Sequence, residues 1–329
     1  MSDTPLVSIG LPVFNGAKYI REALDSILAQ TYPNFEVIIS DNASTDSTKE
    51  ICLEYTAKDS RIRYYRNKKN LGASKNFNLV FMLSSGKYFK WAAHDDLIAP
   101  RFLEKCISVL NQDQSIALCC SKIGCINEQG TLVGKHDYKL RIDSRKPHER
   151  FGDLIRISYP VFELFGVMRR SVLKRTPLIG NYIGSDKNLL AEIALISRIH
   201  RITEQLFFQR VHSQAYSSVF YDSARARPGY EEELFWWTGA NRLSFPYSIH
   251  TRMCLEYFRS VRRAPLERFE RQLCYLELMR WLIREGWIWT GWDVENILLC
   301  NSSLGRRVDS TLRRIMRRGI IPIIEKKGV

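Results

Sequence analysis

The sequence predicts an α/β protein in which a mainly parallel sheet is flanked by helices and followed by a C-terminal helical region. Three observations lead to this fold class. Strand and helix patterns alternate over the first 110 residues, an order that is typical of parallel strands within one sheet. The strands are short apolar runs of the kind that parallel sheets bury on both faces. Beyond residue 250, apolar residues recur at helical spacing.

The predicted elements are bounded by residues that favour turns or cap helices. Asn15-Gly16 ends the first strand, and Pro33 ends the helix that follows because proline cannot continue it. The polar stretch 41–46 ends the second strand and caps the next helix. The predicted elements are a strand at 7–13, a helix at 19–28, a strand at 35–40, a helix around 51–55, a strand at 62–65, a helix at 77–83 and a helix at 102–110.

Two adjacent carboxylates, Asp95 and Asp96, follow the apolar stretch 88–93. Ionised groups that are taken out of water are costly unless they meet a cation. Magnesium and manganese commonly bind through one or two carboxylates together with the phosphates of a substrate. The pair therefore indicates a nucleotide-diphosphate site. An alternative is that the two acids cap the helix that Pro100 opens.

Asp41 lies at the end of the second predicted strand. Ligands of open parallel sheets bind beyond the carboxyl ends of the strands, so Asp41 and the acid pair are expected at one edge. There Asp41 can accept a hydrogen bond from a nucleotide base, with loop 42–46 as a cover and Pro12 and Phe14 as a floor. The alternatives are that Asp41 only caps a turn and that Pro12 and Phe14 are ordinary packing.

Four stretches occur in the order and at the spacing of a known family: residues 7–15, 40–46, 70–72 with Asn78, and 94–96. They resemble the motifs of family 2 glycosyltransferases, whose GT-A fold is a Rossmann-like, mainly parallel sheet. The resemblance implies transfer of a sugar, with inversion at the anomeric carbon, from a nucleotide-diphosphate donor to an acceptor hydroxyl. It favours a UDP-sugar donor, a glycan or lipid-linked acceptor, and a role in surface polysaccharide synthesis, with Mg²⁺ or Mn²⁺ as the metal.

The resemblance also assigns donor-binding roles to individual residues. Asp41 is expected to bind the base, and Lys75 stands near a family arginine position that Phe77 occupies here. The alternative for Lys75 is a solvated helix residue. The full set of expected donor-nucleotide contacts is Pro12, Phe14, Asn15, Asp41, Asn42, Lys75 and Asp95.

The expected metal ligands are Asp96, Asp95 and His212, the last of which follows the apolar stretch 206–208. Asp96 is favoured for the metal and Asp95 for the donor ribose. The reverse stays open, because Ala93 occupies the first acidic position of the family motif. By resemblance His212 reaches the metal or the pyrophosphate, and Arg210 adds a fork of donors to phosphate.

Asp186 is the candidate general base, since an inverting transfer needs a base near the acceptor hydroxyl. It begins a predicted helix whose apolar residues recur at helical spacing from 189 to 196. Family members usually carry Glu-Asp there, so Asp186 matches the catalytic acid and Ser185 departs from the pattern. The alternative is that Asp186 only stabilises the N-terminus of the helix.

The chain is expected to divide into a catalytic domain at 1–220 and a mainly helical region with a basic tail at 221–329. The alternating pattern ends in the polar stretch 221–229, which closes with Pro-Gly. The formal net charge is +14, and basic residues cluster from 306 to 327, after Trp281, Trp287, Trp289 and Trp292. Such a combination suggests an anionic membrane surface as a partner. The alternative is core tryptophans beside a solvated basic face.

The eight cysteines show no CxxC pairs of a zinc site, and most lie within apolar patterns, as reduced thiols do. Neither a signal peptide nor an apolar stretch of the ~20 residues that span a bilayer is found. These features predict a cytoplasmic protein. The basic tail also suggests peripheral attachment to the inner face of the plasma membrane.

Two other functions fit parts of the pattern. A nucleotidyltransferase also combines an α/β sheet with acidic metal ligands, but residues 11–16 lack its Gly-rich phosphate loop. A non-catalytic basic module would bind a membrane or a nucleic acid, but no nucleic-acid motif occurs, so no nucleic-acid partner is expected. The GxGxxG fingerprint of NAD-dependent enzymes is also missing.

Overall fold

A computed structural model describes residues 6–215, 230–239 and 249–286. The predicted α/β class is confirmed, because these residues form a nine-stranded sheet with helices on both faces. The strands are β1 (Val7–Val13), β2 (Phe35–Asp41), β3 (Ile62–Arg66), β4 (Tyr88–Trp91), β5 (Leu97–Ile98), β6 (Ile116–Ile126), β7 (Leu132–His136), β8 (Val167–Arg169) and β9 (Arg198–Arg210).

The strands lie in the order β3-β2-β1-β4-β8-β6-β9-β5, and β7 pairs with β6. Strands β3, β2, β1 and β4 are mutually parallel, and β9 is parallel to β6. Strand β8 runs antiparallel between β4 and β6. The register places Val13 beside Asp41 and Asp41 beside Arg66. We call the edge formed by the ends of β1 to β4 and β9 the carboxyl edge.

The helices cover both faces of the sheet because each one has apolar residues on one side. In α1, Ile20, Leu24 and Ile27 are buried at helical spacing against the sheet. The helices are α1 (Ile20–Leu28), α2 (Thr48–Lys58), α3 (Ala73–Met82), α4 (Phe102–Gln112), α5 (Pro147–Arg156), α6 (Arg170–Leu173), α7 (Ser185–Ile196), α8 (Tyr230–Thr238), α9 (Ile249–Arg263) and α10 (Arg268–Trp281), with a 3-10 helix at Phe162–Phe165 and a π-helical turn at Leu282–Gly286.

The predicted C-terminal helices are present, and they pack directly on the α/β part. Tyr257 of α9 makes edge-on ring contacts with Phe151 of α5 and with Trp281 of α10. These rings share one buried cluster with Ala191 and Leu195 of α7. Hydrophobic burial therefore links α9 and α10 to the sheet-covering helices.

Helix α8 ends against the turn that precedes α3. Gly72 has a φ of +83°, and a Cβ atom there would lie 2.4 Å from the backbone nitrogen of Gly239. Only glycine allows this close approach of two backbones. The predicted domain boundary near 221 lies outside the described residues, and the division into 1–220 and 221–329 stays a prediction.

No helix within the described ranges is long and apolar enough to cross a membrane. The seven described cysteines are free thiols. Cys300, the basic tail and Trp287, Trp289 and Trp292 lie outside the described residues.

Candidate functional site

The carboxyl edge gathers polar side chains that are far apart in the sequence. Asp41 ends β2, Asp95 lies four residues beyond β4, and His212 lies two residues beyond β9. Strand β5, which directly follows Asp96, pairs with β9 at Leu97 and Phe208 and so brings the acid pair beside the end of β9. As the sequence predicts for a parallel sheet, the acids of β2 and β4 lie at the same edge.

Asp95 and His212 form a direct pair. The Nε2 atom of His212 lies 2.9 Å from Oδ2 of Asp95, and the two side chains are 5% and 15% exposed. The ring of Tyr19 packs 4.7 Å from the imidazole and fixes its orientation. Burial alone would raise the pKa of Asp95, but His94 and His212 hold it below its ordinary value. Asp95 is therefore an ionised carboxylate beside an imidazole.

Asp96 faces the protein rather than the edge. Its Oδ1 accepts the backbone N–H of Arg210 at 3.0 Å, and it shares a small cavity with Lys90. Burial and the neighbouring charge of Asp95 raise the pKa of Asp96 well above its ordinary value. Burial also lowers the pKa of Lys90 to about 7. The surroundings thus disfavour the charged forms of both Asp96 and Lys90, and Nζ of Lys90 donates instead to the carbonyl oxygens of Trp91 and Phe165. The roles of Asp95 and Asp96 as metal ligands stay predictions.

Arg210 supports the loop that carries the acid pair. Its side chain is fully buried, and Nε donates to the carbonyl oxygen of Asp95 at 3.0 Å. One Nη donates to the carbonyl oxygens of Asn127 and Glu128, and the other lies 2.6 Å from Glu22. The expectation that Arg210 binds phosphate is wrong, because all three of its nitrogens are engaged within the protein.

Asp41 is completely buried and already bonded. Its Oδ1 accepts the backbone N–H of Ser44 at 2.7 Å. Its Oδ2 accepts the hydroxyl of Tyr64 at 2.7 Å and Nη1 of Arg66 at 2.5 Å. Asp41 lies at the predicted edge. Its bond to Ser44 also closes a turn, which is the alternative role that the sequence allows. Its role as the base acceptor stays a prediction.

Asn42 and Asn15 hold loops of the carboxyl edge together. The amide of Asn42 donates to Asn70 at 2.8 Å and accepts the backbone N–H of Leu71 at 2.9 Å. Asn15 accepts the N–H of Thr45 at 2.8 Å. The sequence motifs therefore include residues whose hydrogen bonds hold the loops around the site in place.

Three further residues predicted to contact the donor differ in accessibility. Pro12 is buried within β1, whereas the ring of Phe14 is 43% exposed just beyond the strand. Lys75 is exposed in the first turn of α3. Phe14 and Lys75 are accordingly available to a ligand, and the contacts of all three with the donor stay predictions.

Asp186 lies in the first turn of α7, half-buried, and accepts the N–H of Lys187 at 2.8 Å. Burial raises the pKa of Asp186 above its ordinary value. The segment before it is tied to α3, because Asn78 forms two hydrogen bonds with the backbone of Ile179 and Ser74 contacts Asn181 at 2.9 Å. Motif residue Asn78 thus positions the chain that leads to Asp186, a role that the sequence pattern did not disclose.

Within residues 6–215, 230–239 and 249–286, no group of three or more His, Cys, Asp or Glu side chains forms a metal site. Asp95 and His212 nevertheless fit the donor set of Mg²⁺ or Mn²⁺. These ions use few protein ligands and complete their coordination with water and phosphate oxygens.

A mainly parallel sheet with an acid and a histidine paired at its carboxyl edge fits a glycosyltransferase of the GT-A type. The model of the family described as glycosyl transferase family 2 matches residues 8–176, which is more than half of the 329-residue chain. The chain belongs to this family, and the resemblance of its motifs is confirmed.

Several relatives are also glycosyltransferases. An uncharacterised glycosyltransferase of Haemophilus influenzae is 29% identical over 225 residues, 67% of this chain and 70% of that protein. One of Rickettsia bellii is 49% identical over 152 residues, 43% of this chain and 20% of that protein. Chondroitin synthase of Escherichia coli is 34% identical over 142 residues, again 43% and 20%. The matched region spans about a fifth of the last two relatives.

Among solved structures, S. aureus TarS 1–349 in complex with UDP has the same fold. Its TM-score is 0.58 at 18% identity, and the alignment covers 84% of this chain and 71% of that chain. TarS 1–349 in complex with UDP-GlcNAc gives a TM-score of 0.58 at 19% identity, covering 84% and 73%.

Proposed function

We propose that this glycosyltransferase moves a sugar from a nucleoside-diphosphate donor, with UDP favoured, to a hydroxyl of a glycan or lipid-linked acceptor in surface glycan synthesis, with inversion. The observation that carries the proposal is the Asp95–His212 pair, which lies at the same sheet edge as Asp41 and Arg66. Ligands of open α/β sheets bind beyond this edge. TarS, which shares the fold, was solved with UDP and with UDP-GlcNAc.

Asp95 and His212 would hold a divalent ion, and the diphosphate of the donor would complete its coordination. The ion supplies electrostatic stabilisation of the negative charge that develops on the leaving diphosphate. Arg210 and Tyr19 keep the carboxylate and the imidazole in place. Asp95 is taken as the carboxylate ligand because it pairs with His212, and Asp96 stays a second predicted ligand.

Asp186 would take the proton of the acceptor hydroxyl as its oxygen attacks the anomeric carbon. A general base is most effective when its pKa approaches the operating pH. The burial that raises the pKa of Asp186 moves it in that direction. The contacts of Asn78 and Ser74 with Ile179 and Asn181 fix the segment that leads to α7 against α3, whose first turn follows the carboxyl edge.

We further propose that the outer faces of α9 and α10 contact an anionic membrane. They expose Phe258, Phe269 and Met279, and the π-helical turn after α10 exposes Ile283. Burial of these side chains in a lipid interface would be stabilising. Exposed arginines, among them Arg259, Arg262 and Arg268, lie on the same helices. Each such charge near an anionic surface contributes about 1 kcal/mol. This surface would bring the enzyme close to a lipid-linked acceptor.

The donor and metal assignment is tested by calorimetric titration of UDP with and without MnCl₂. For the unchanged protein we expect the metal to raise UDP affinity by about tenfold or more, because it bridges ligand and protein charges. His212→Ala and Asp95→Asn should each lose this gain.

The control is His200→Ala. His200 forms another Asp–His pair, 2.7 Å from Asp143, and this pair lies away from the carboxyl edge. It should keep the full metal effect. Binding of UDP that is equally tight in excess chelator, or a metal effect that survives in His212→Ala, would refute the metal site.

A further inference from the structure

The carboxylate of Asp41 has little capacity left for a ligand. It is 0% exposed, and its two oxygens accept hydrogen bonds from Ser44, Tyr64 and Arg66. A base that approached the edge would have to displace one of these donors and reach a group that is closed to solvent. A buried carboxylate whose two oxygens already accept three hydrogen bonds resists such exchange, because each hydrogen bond lost to a charged group is costly.

Arg66, in contrast, is both fixed and accessible. Its Nη1 donates to Asp41, and its Nη2 donates to the carbonyl oxygen of Ser44 at 2.8 Å. The side chain is nevertheless 36% exposed. A guanidinium carries five N–H donors and no acceptor. Two of these donors therefore fix the plane of the guanidinium. The remaining N–H groups can donate to acceptor atoms of a ligand.

The position of Arg66 matches the far end of a bound nucleotide. It lies beside Asp41 at the end of β3, and three strand spacings separate β3 from β4, which leads to Asp95. Adjacent strands are about 4.8 Å apart, so the span is about 14 Å. This is comparable with the length of an extended nucleoside diphosphate. The exposed ring of Phe14, beyond the intervening β1, offers a stacking surface between the two ends.

We propose that Arg66 contacts the donor base and selects bases that carry a carbonyl oxygen over bases that carry an amino group at the same position. Uracil and guanine present such an oxygen, whereas cytosine and adenine present an N–H₂ donor that a guanidinium cannot accept. In this arrangement Asp41 is a positioning residue, which orients Arg66 without touching the base. The inference rests on the proposed nucleotide-sugar function.

The test compares UDP with CDP. The two bases have nearly the same shape and differ in hydrogen bonding only at one exocyclic group and the adjacent ring nitrogen. Calorimetric titration of the unchanged protein, with MnCl₂ present, should give UDP an affinity about tenfold or more above that of CDP. In Arg66→Gln, UDP affinity should fall by about 10- to 100-fold, and the UDP/CDP ratio should approach one, because an amide can donate or accept.

Arg66→Lys tests the arrangement of the guanidinium donors separately from the positive charge. Lysine keeps a positive charge beside Asp41 but loses the planar arrangement of the guanidinium, so it should also lose most of the UDP preference. Arg63→Gln is the control. Arg63 lies on the same strand and pairs with Glu36 at 3.0 Å, on the other side of Tyr64 from the site, and its loss should leave the ratio unchanged. Thermal unfolding of each variant confirms that it is folded.

The outcomes are distinct. If Arg66→Gln and Arg66→Lys keep the UDP/CDP ratio of the unchanged protein, or if the unchanged protein binds UDP and CDP equally, Arg66 does not select the base, and the inference is overturned while the proposed function stands. If the unchanged protein binds none of UDP, CDP, GDP and ADP, the proposed function fails, and the inference fails with it.

Discussion

Asp95 and Asp96 show how two identical neighbours acquire different properties. Asp95 lies in a bend between β4 and β5, and Asp96 is the residue directly before β5. Asp95 meets His212 at the edge, and Asp96 meets the backbone of Arg210 on the inner side. Surroundings of this kind move the pKa values of two carboxyl groups apart, which is how proteins assign them separate roles. The Asp-Asp motif alone does not show which acid faces which way.

At the same scale, Asp186→Asn should reduce transfer by about 10²- to 10⁴-fold and leave UDP affinity unchanged, because only the proton acceptor is lost. Burial raises the pKa of Asp186, so its ionised, active form disappears as the pH falls at values above the ordinary range of an aspartate. The pH profile of UDP release from a UDP-sugar measures this loss of activity at low pH.

Asp137→Asn is the control, since Asp137 is exposed beyond β7. A full rate in Asp186→Asn, or an activity that stays constant down to the pKa of an unperturbed carboxyl group, would remove Asp186 from the reaction.

At the scale of elements, α9 has two distinct faces. Tyr257 is buried between Phe151 and Trp281, whereas the adjacent Phe258 is 48% exposed. The first side chain therefore contributes to the attachment of α9, whereas the half-exposed ring of the second stacks on Tyr275 of α10, 5.1 Å away, and keeps its outer side open. Helical periodicity predicts that these faces exist, but which of them is buried depends on α5, which lies about a hundred residues earlier.

Tyr257→Ala should lower the free energy of unfolding by about 3–5 kcal/mol, the usual cost of removing a buried aromatic ring. Phe258→Ala should lower it by only about 1 kcal/mol, because the half-exposed ring loses its stacking on Tyr275. Chemical denaturation followed by tryptophan fluorescence measures both. A single transition is expected, because α9 and α10 share a core with α5 and α7. Two separate transitions, with only one affected by Tyr257→Ala, would instead support an independent C-terminal domain.

At the scale of the whole molecule, charge and apolar exposure coincide on the C-terminal helices. The chain has a formal net charge of +14, and α9 and α10 carry exposed arginines beside exposed aromatic and aliphatic side chains. Long-range attraction to an anionic surface and burial of these side chains would act together.

Cosedimentation with vesicles tests this surface. We expect binding to vesicles that contain phosphatidylglycerol, weaker binding to vesicles of phosphatidylcholine alone, and release as salt screens the charges. Phe269→Ser should weaken binding severalfold. Met82→Ser is the control, because Met82 is also 69% exposed but lies on α3. Equal binding to both vesicle types, or equal loss in the two variants, would contradict the proposed surface.

The sequence by itself determined the order of strands and helices over the first 110 residues, the parallel character of that part of the sheet and the placement of Asp41 and Asp95 at one edge. These features follow from periodicity and from turn residues, which act over a few positions of the chain. The family was identified separately, by the resemblance of the four motifs, and its model matches residues 8–176.

Only the tertiary structure decided what each polar side chain contacts. It paired His212 with Asp95, buried Arg210 under the acid loop, and fixed Arg66 with a carboxylate that is itself closed to solvent. The physical reason is that such partners come from strands that are distant in sequence. Their register, and the side from which each chain arrives, are set by packing of the whole sheet and are not encoded in any local pattern.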